Sequence, residues 1–302
     1  MKKIIALVVT YNRKELLKEN IEALLEQKYK DFDILVVDNA STDGTKEYIN
    51  DFIKNKKVIY ENTGANLGGA GGFHFGLKKV IELGYEYCWL MDDDTIPKKE
   101  SLEVLYNKAK DLNNEFSFLC SYVEWIDGTP CKMNQVIPDK YWFDEADKLH
   151  FNRMLKLKSC TFVSVFINLK ITEKVGLPIK QMFIYGDDHE YTTRLSKEKP
   201  GYFVFDSVVL HKMGSNQGYN IEDIPKERIN RYFYDSRNRL YRARKEGMRE
   251  IIGYFYWFIT SFPKILIKSK NKRLYRMWII IKGFCAGLFF FPKIEFAKKI
   301  EK

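Results

Sequence analysis

The sequence predicts an α/β fold with a mostly parallel, Rossmann-like central sheet, followed by a helical C-terminal segment. Short apolar runs alternate with helical patterns over the first hundred residues, and polar side chains follow the predicted strand ends. Parallel strands need crossover connections, which are usually helices, so this alternation indicates βαβ units. Basic and aromatic residues dominate the end of the chain. We therefore expect a catalytic domain over residues 1–222 and a helical segment over residues 223–302.

The individual elements follow from their hydrophobic periodicity. Strands are predicted over residues 4–10, 33–38, 57–60 and 86–91, with helices over residues 14–27, 45–52 and 71–83. A more mixed pattern follows, with strands over residues 117–123, 160–167 and 201–210 and helices over residues 187–196 and 226–245.

Charge is concentrated near the C-terminus. The net charge is +10, and residues 264–302 contain 11 basic and 2 acidic residues, which is +9 (11 − 2) and leaves about +1 for the rest. A nearly neutral body argues against a nucleic-acid-binding protein. Five cysteines without a CxxC pair favour a reducing, cytoplasmic compartment.

An acidic triplet follows the predicted strand at residues 86–91. Side chains alternate along a strand, so Asp92 and Asp94 point the same way and Asp93 points the opposite way. Two carboxylates at a strand end form half of a site for a hard cation, and such a cation suits a diphosphate. An acidic turn exposed to solvent explains the triplet equally well by itself.

Other strand ends carry further polar groups. The predicted ligand-facing residues at the first two ends are Thr10, Tyr11, Asn12, Arg13, Asp38 and Asn39. These groups are able to bind a base, a ribose or a phosphate, although helix capping or turn formation accounts for each one alone.

A glycine-rich turn, residues 66–73, follows the third strand and begins with Asn66. Gly69 and Gly71 fit the first two positions of a GxGxxG pattern, but the third position falls on His74, so the dinucleotide fingerprint is absent. No Walker sequence occurs. We predict a turn at a ligand-facing edge, with His74 in a packing or hydrogen-bonding role.

A second acidic pair and a histidine are the remaining candidate site residues. Asp187 and Asp188 begin a predicted helix, where carboxylates are favourable in any case. A sugar-transfer reaction needs a carboxylate base, which this pair offers. His211 ends a predicted strand, and its imidazole is a candidate third ligand beside Asp92 and Asp94.

Together these motifs resemble family 2 glycosyltransferases of the GT-A fold over roughly residues 4–215. Within this family the chain resembles the galactofuranosyltransferase branch, near the rhamnosyltransferase-like branch. That resemblance rests on residues 66–73 and 91–94, on His211, and on the later Tyr232-Phe233 and Arg237-Asn238. Polymerising members of that branch carry an extra N-terminal domain and a Trp at the position of Gly186. We therefore expect an enzyme that adds one sugar.

The resemblance implies an inverting hexosyltransferase in which Mn²⁺ or Mg²⁺ clamps the diphosphate of a nucleotide sugar. By position, Asp92, Asp94 and His211 match the metal ligands, and Asp188 matches the catalytic base, with Asp187 as the second candidate. The residues expected to bind the nucleotide sugar are Thr10, Tyr11, Asn12, Arg13, Asp38, Asn39, Asn66, Gly69, Asp92 and Asp93.

Several functions stay open at this point. UDP-galactofuranose is the expected donor and dTDP-rhamnose the alternative, with a lipid-linked or oligosaccharide acceptor in cell-surface polysaccharide synthesis. A nucleotidyltransferase with the same metal clamp is the alternative from another class of enzyme. A non-catalytic scaffold that retains a nucleotide-binding site is the third hypothesis.

The C-terminal segment has apolar runs over residues 251–259 and 278–291. The second run, about 14 residues with Lys282 inside it, is shorter than the ~20 residues that cross a bilayer. Interleaved basic and aromatic residues favour helices that lie on an anionic membrane. We expect a peripheral protein at the cytoplasmic face of the membrane. Packing on the catalytic domain or a homo-oligomer interface is the alternative.

Overall fold

The computed structural model describes residues 2–218 and 220–300. These residues form two compact units. The first unit takes in the described parts of residues 1–180, 188–216 and 294–302, and the second comprises residues 181–187 and the described parts of 217–293.

The first unit is built on a ten-stranded sheet. Its strands are β1 (Ile4–Thr10), β2 (Phe32–Asp38), β3 (Ile59–Asn62), β4 (Tyr87–Asp92), β5 (Thr95–Pro97), β6 (Phe118–Trp125), β7 (Ile137–Pro138), β8 (Met154–Ser159), β9 (Val165–Asn168) and β10 (Gly201–His211). Their order is β3-β2-β1-β4-β9-β6-β10-β8-β7, and β5 pairs with β10. β5, β8 and β9 run against the other seven strands, which confirms a mostly parallel sheet.

The helices occur in both units. They are α1 (Lys14–Leu25), α2 (Thr45–Tyr48), α3 (Asn50–Lys54), α4 (Gly68–Leu83), α5 (Ser101–Asp111), α6 (Ala146–Asn152), α7 (Leu169–Val175), α8 (Asp187–Glu198), α9 (Arg231–Glu246), α10 (Met248–Lys268) and α11 (Arg273–Leu288).

Both faces of β1 are buried, which explains its continuous apolar sequence. Ile4, Ala6 and Val8 join the apolar core on one face of the sheet, and the alternate residues, such as Ile5 and Leu7, join the core on the other. Strands covered on both faces read as unbroken apolar runs, as predicted here. The sheet therefore holds Thr10, the polar residue at the end of β1, in a rigid position.

A turn was predicted for the glycine-rich residues after β3. In the structure these glycines form the start of α4 instead. A Cβ atom on Gly72 would lie 2.5 Å from Val9 Cγ1, and one on Gly76 would lie 2.5 Å from Leu7 Cδ1. These glycines let α4 approach β1 closely. Gly69 differs, since a Cβ there would meet nothing within 4 Å.

Other sequence-based boundaries were also wrong in places. Residues 160–164 are not a strand, although Cys160, Phe162 and Val163 are buried. Because this irregular segment is buried, its sequence is as apolar as that of a strand. β8 and β5 were missed because β8 is interrupted by lysines and β5 has three residues.

The second unit is a helical assembly in which α9 packs against α10 and α11. Its core contains Ile229, Ile265 and Ile280, and a second cluster surrounds Leu240 and Tyr254. Among the described residues, no helix combines the length and apolar character that a bilayer span requires.

Candidate functional site

The ends of neighbouring strands bring the first polar residues together. Thr10 at the end of β1 is in register with Asp38 at the end of β2, and Val9 is in register with Asp92 at the end of β4. Because these strands are parallel, their carboxyl ends lie at one edge of the sheet, where open α/β sheets bind ligands.

A candidate metal centre lies at this edge. Asp92, Asp94 and His211 each offer one ligand atom, and these atoms lie within 4.8 Å of one another. β10 delivers His211 because it pairs with β5, where His211 is in register with Thr95. Two carboxylates and one imidazole would suit a divalent cation such as Mn²⁺ or Mg²⁺.

The third carboxylate of the triplet points elsewhere. Asp93 Oδ2 accepts a hydrogen bond from Thr10 Oγ1 at 2.7 Å. Arg13 Nη1 lies 3.3 Å from Asp93 Oδ1 and 2.5 Å from Asp94 Oδ2. Arg13, expected to bind the nucleotide, here also neutralises two of the three aspartates.

The crowded charges shift the pKa values of the cluster. Burial and the neighbouring Asp94 raise the pKa of Asp92 to about 8. Burial raises the pKa of Asp93 to about 6, although Arg13 opposes it. Burial disfavours the charge on Asp94, but the hydrogen bond from His211 and the positive charges of His211 and Arg13 together lower the pKa of Asp94. Burial likewise opposes the charge on His211, and Asp94 raises its pKa to about 9.

One residue of this site, Asn134, is not among those predicted from the sequence. Asn134 Oδ1 lies 2.8 Å from His211 Nδ1, while His211 Nε2 lies 3.0 Å from Asp94 Oδ1. Asn134 Nδ2 donates to Thr161 Oγ1 at 2.9 Å, which leaves its oxygen for the imidazole. Asn134 therefore keeps a proton on Nδ1 and directs Nε2 toward the carboxylates.

Hydrogen bonds tie two of the predicted nucleotide-binding residues, Asp38 and Asn12, to the loop that follows β2. Asp38 Oδ2 accepts from Tyr60 Oη at 2.6 Å, and Asp38 Oδ1 accepts from Ser41 N at 2.8 Å. Asn12 Oδ1 accepts from Thr42 N at 2.7 Å. Tyr11 is 42% exposed.

The remaining predicted residues at this edge flank α4. Asn39 Nδ2 donates to Gly68 O at 3.0 Å, and Asn66 Oδ1 accepts from Gly68 N at 2.9 Å. Gly69, in the first turn of α4, has open space beside its Cα. The side chains of Asn39 and Asn66 therefore also hold the start of α4.

The acidic pair occupies the first two positions of α8. Asp187 is buried and belongs to the second unit, whereas Asp188 is half-buried and belongs to the first. Asp188 Oδ1 accepts from His189 N at 2.7 Å, and Asp188 O accepts from Thr192 Oγ1. The carboxylate of Asp188 is thus oriented by the backbone of its own helix.

Comparison with known sequences gives a family. Residues 5–176 match the family described as glycosyl transferase family 2. The galactofuranosyltransferase GlfT1 of Mycolicibacterium smegmatis is 25% identical, over 92% of this chain and 94% of that protein. An uncharacterized glycosyltransferase of Methanocaldococcus jannaschii is 26% identical, over 88% of this chain and 93% of that protein.

Solved structures support the fold. A structure of GalNAc-T7 with UDP, GalNAc and Mn²⁺ superposes with a TM-score of 0.61 at 13% identity, over 80% of this chain and 50% of that one. Residues 1–349 of S. aureus TarS with UDP give a TM-score of 0.55 at 14% identity, over 95% of this chain and 72% of that one.

Proposed function

Because the chain belongs to glycosyl transferase family 2, we propose that it is an inverting, metal-dependent glycosyltransferase that extends a lipid-linked glycan in cell-surface polysaccharide synthesis. The observation that carries this proposal is the convergence of Asp92, Asp94 and His211 at the sheet edge beside the predicted nucleotide-binding residues. Family membership makes the chain a glycosyltransferase, so the nucleotidyltransferase and scaffold hypotheses lose their support.

In the proposed mechanism, Asp92, Asp94 and His211 hold Mn²⁺ or Mg²⁺. A cation held there would supply positive charge that stabilises the leaving diphosphate. Asp38 and Asn39 bind the base and ribose, and Arg13 exchanges its aspartate partners for a phosphate oxygen. Arginine forms strong charge-assisted hydrogen bonds with either group, so this exchange is chemically reasonable.

Asp188 is proposed as the catalytic base, with Asp187 as the second candidate. The base removes the proton from the acceptor hydroxyl as its oxygen attacks the anomeric carbon of the donor. The backbone N–H of His189 donates to the carboxylate of Asp188 and fixes its orientation at the start of α8.

The proposed donor is UDP-galactofuranose. The similarity to GlfT1 extends over nearly the full length of both proteins, which supports this choice. An abequosyltransferase of Salmonella typhimurium is 34% identical, but over only 49% of this chain. dTDP-rhamnose stays the alternative donor.

A direct assay tests the reaction. The purified protein is incubated with Mn²⁺, an octyl glycoside acceptor and either UDP-galactofuranose, dTDP-rhamnose or UDP-glucose, and the released nucleotide is identified. We expect UDP release and acceptor glycosylation with UDP-galactofuranose, and loss of both in Asp188→Asn. Full transfer by both Asp187→Asn and Asp188→Asn would contradict the proposed base.

The second part of the proposal is membrane association through α10. Its exposed apolar residues fall on one side of the helix and form one apolar stripe: Met248, Ile252, Phe255, Tyr256, Ile259, Leu266 and Ile267. Ile252 is 63% exposed and Ile267 is 78% exposed. The opposite face, with Tyr254 and Ile265, is buried within the second unit.

Charge supports a lipid partner for this stripe. No charged residue occurs between Glu250 and Lys264, whereas five cations follow within a short stretch: Lys264, Lys268, Lys270, Lys272 and Arg273. Trp278 on α11 is 57% exposed and suits the headgroup region. An amphipathic helix with these features lies in the plane of an anionic membrane, which at the cytoplasmic face gives access to a lipid-linked acceptor.

Vesicle sedimentation tests the membrane proposal. We expect binding to vesicles of phosphatidylcholine with phosphatidylglycerol, weaker binding to phosphatidylcholine alone, and loss of binding in Ile252→Glu/Ile259→Glu. The matched control is Ile126→Glu/Phe151→Glu, at exposed apolar positions in the first unit. A lipid-free dimer that the α10 substitutions convert to monomer would instead make the stripe a dimer interface and overturn the membrane proposal.

A further inference from the structure

The segment just before α8 has an unusual backbone. Phe183 and Tyr185 adopt φ values of 65° and 67°, and Gly186 adopts 81°. The left-handed region is costly for aromatic residues because their Cβ atoms crowd the backbone, and such conformations persist only when the surroundings hold them. We call residues 183–186 the strained segment.

Asn238 on α9 holds the strained segment. Its side-chain nitrogen lies 3.0 Å from Met182 O, 3.1 Å from Ile184 O and 2.8 Å from Tyr185 O. Its side-chain oxygen accepts from Arg237 Nε at 3.0 Å, which orients the amide nitrogen toward these carbonyls. Asn238 is 1% exposed, so no water replaces these bonds easily.

Neighbouring contacts restrain the same path. Arg237 Nη2 donates to Gln181 O at 2.6 Å and to Met182 O at 3.1 Å. The ring of Phe183 stacks on Tyr234 with centroids 4.8 Å apart. Tyr234, Arg237 and Asn238 all belong to α9, so one helix restrains residues 181–185.

We propose that Asn238 is a positioning residue for the acidic pair, Asp187 and Asp188. The pair follows Gly186 directly in the chain, so the path of the strained segment sets where α8 begins. This inference rests on the proposed function in taking the base from that pair. A base must lie within hydrogen-bond reach of its proton, and a displacement of about 1 Å reduces the rate about 100-fold.

A positioning role for Asn238 predicts that its substitution affects turnover but not donor binding. Asp92, Asp94 and His211 lie outside residues 181–187 and outside α9. A change at Asn238 therefore lowers kcat while the affinities for Mn²⁺ and UDP stay near those of the wild type. A general loss of folding would lower all three.

Asn238→Asp is the sharpest substitution, because it keeps the shape and replaces the donor nitrogen by an oxygen that faces three carbonyl oxygens. Ser236→Ala is the matched control. Ser236 is buried on the same helix and bonds to Ile280 O and Tyr254 Oη, not to the strained segment. We expect kcat to fall at least about tenfold in Asn238→Asp and less than twofold in Ser236→Ala. The KM for the nucleotide sugar should stay within about twofold in both.

Hydrogen exchange provides a readout that needs no acceptor. We expect amides of residues 182–187 to exchange faster in Asn238→Asp, but not in Ser236→Ala. Wild-type exchange and kcat in Asn238→Asp, or an equal loss of kcat in Ser236→Ala, would overturn the inference. If Asp187→Asn and Asp188→Asn both turned over at the wild-type rate while Asn238→Asp was slow, neither aspartate would be the base. In that case the proposed base would be wrong, and Asn238 would not act by positioning the pair.

Discussion

His211 Nε2 lies 3.0 Å from Asp94 Oδ1, although the two residues are 117 positions apart in the sequence. The contact joins the end of β10 to the residues that follow β4. Because β5 pairs with β10 immediately beyond this point, the sheet itself sets the distance between imidazole and carboxylate. The backbone therefore already brings both side chains within reach of one cation.

Asp94→Asn is expected to reduce Mn²⁺ affinity at least about 100-fold, because it removes one charged ligand and the partner of His211. Isothermal titration with Mn²⁺ measures the change. Asp206→Asn is the control, since Asp206 pairs with Arg153 at the surface and keeps wild-type affinity in this account. Equal Mn²⁺ binding by both variants would exclude Asp94 as a ligand.

Asn134→Leu is expected to weaken Mn²⁺ binding by about 10- to 100-fold without removing a metal ligand, because Asn134 orients the imidazole of His211. Asn134→Asp, which keeps an acceptor for Nδ1–H, should retain most of the affinity. Electron paramagnetic resonance of free Mn²⁺ measures the Mn²⁺ affinity of both variants. Wild-type affinity in Asn134→Leu would show that the imidazole needs no support from this side chain.

Mn²⁺ affinity is expected to rise with pH between about 6.5 and 9. In the metal-free protein Asp92 has a pKa of about 8 and His211 a pKa of about 9, so both carry a proton at pH 7. A ligand atom binds metal only after losing its proton, so binding releases protons and becomes stronger as the pH increases. Titrations in two buffers of different ionisation enthalpy count those protons, and an affinity that does not change over this range would contradict the assignment.

Gly72→Ala is expected to destabilise the protein by about 1–3 kcal/mol, because its Cβ would overlap Val9 and Asn39. Gly69→Ala, three positions earlier on α4, is the matched control and should be neutral or stabilising by up to about 1 kcal/mol. Urea unfolding measures both. If Gly69 lies against the nucleotide, Gly69→Ala lowers UDP affinity while stability is kept, which separates binding from packing.

Much of the sheet could be predicted from the sequence, and so could the grouping of Asp92, Asp94 and His211. β1 and β2 are buried on both faces, so their apolar runs were unambiguous, and strand ends in parallel sheets meet at one edge. Asn134 could not be predicted, because it lies in a short 3₁₀ turn (Lys132–Asn134) where no periodic pattern identifies neighbours. The strained segment was invisible for the same reason. Its carbonyl groups accept hydrogen bonds from Asn238, more than 50 residues away, and no local pattern indicates that partner.

The central claim is that the aspartate cluster and His211 bind a divalent cation that holds a nucleoside diphosphate. Isothermal titration of UDP with and without Mn²⁺, in the wild type and in Asp92→Asn, tests it most directly. We predict that Mn²⁺ strengthens UDP binding at least about tenfold in the wild type and has no effect in Asp92→Asn. UDP binding that is equally tight without Mn²⁺, or an unchanged Mn²⁺ effect in Asp92→Asn, would contradict the proposed site.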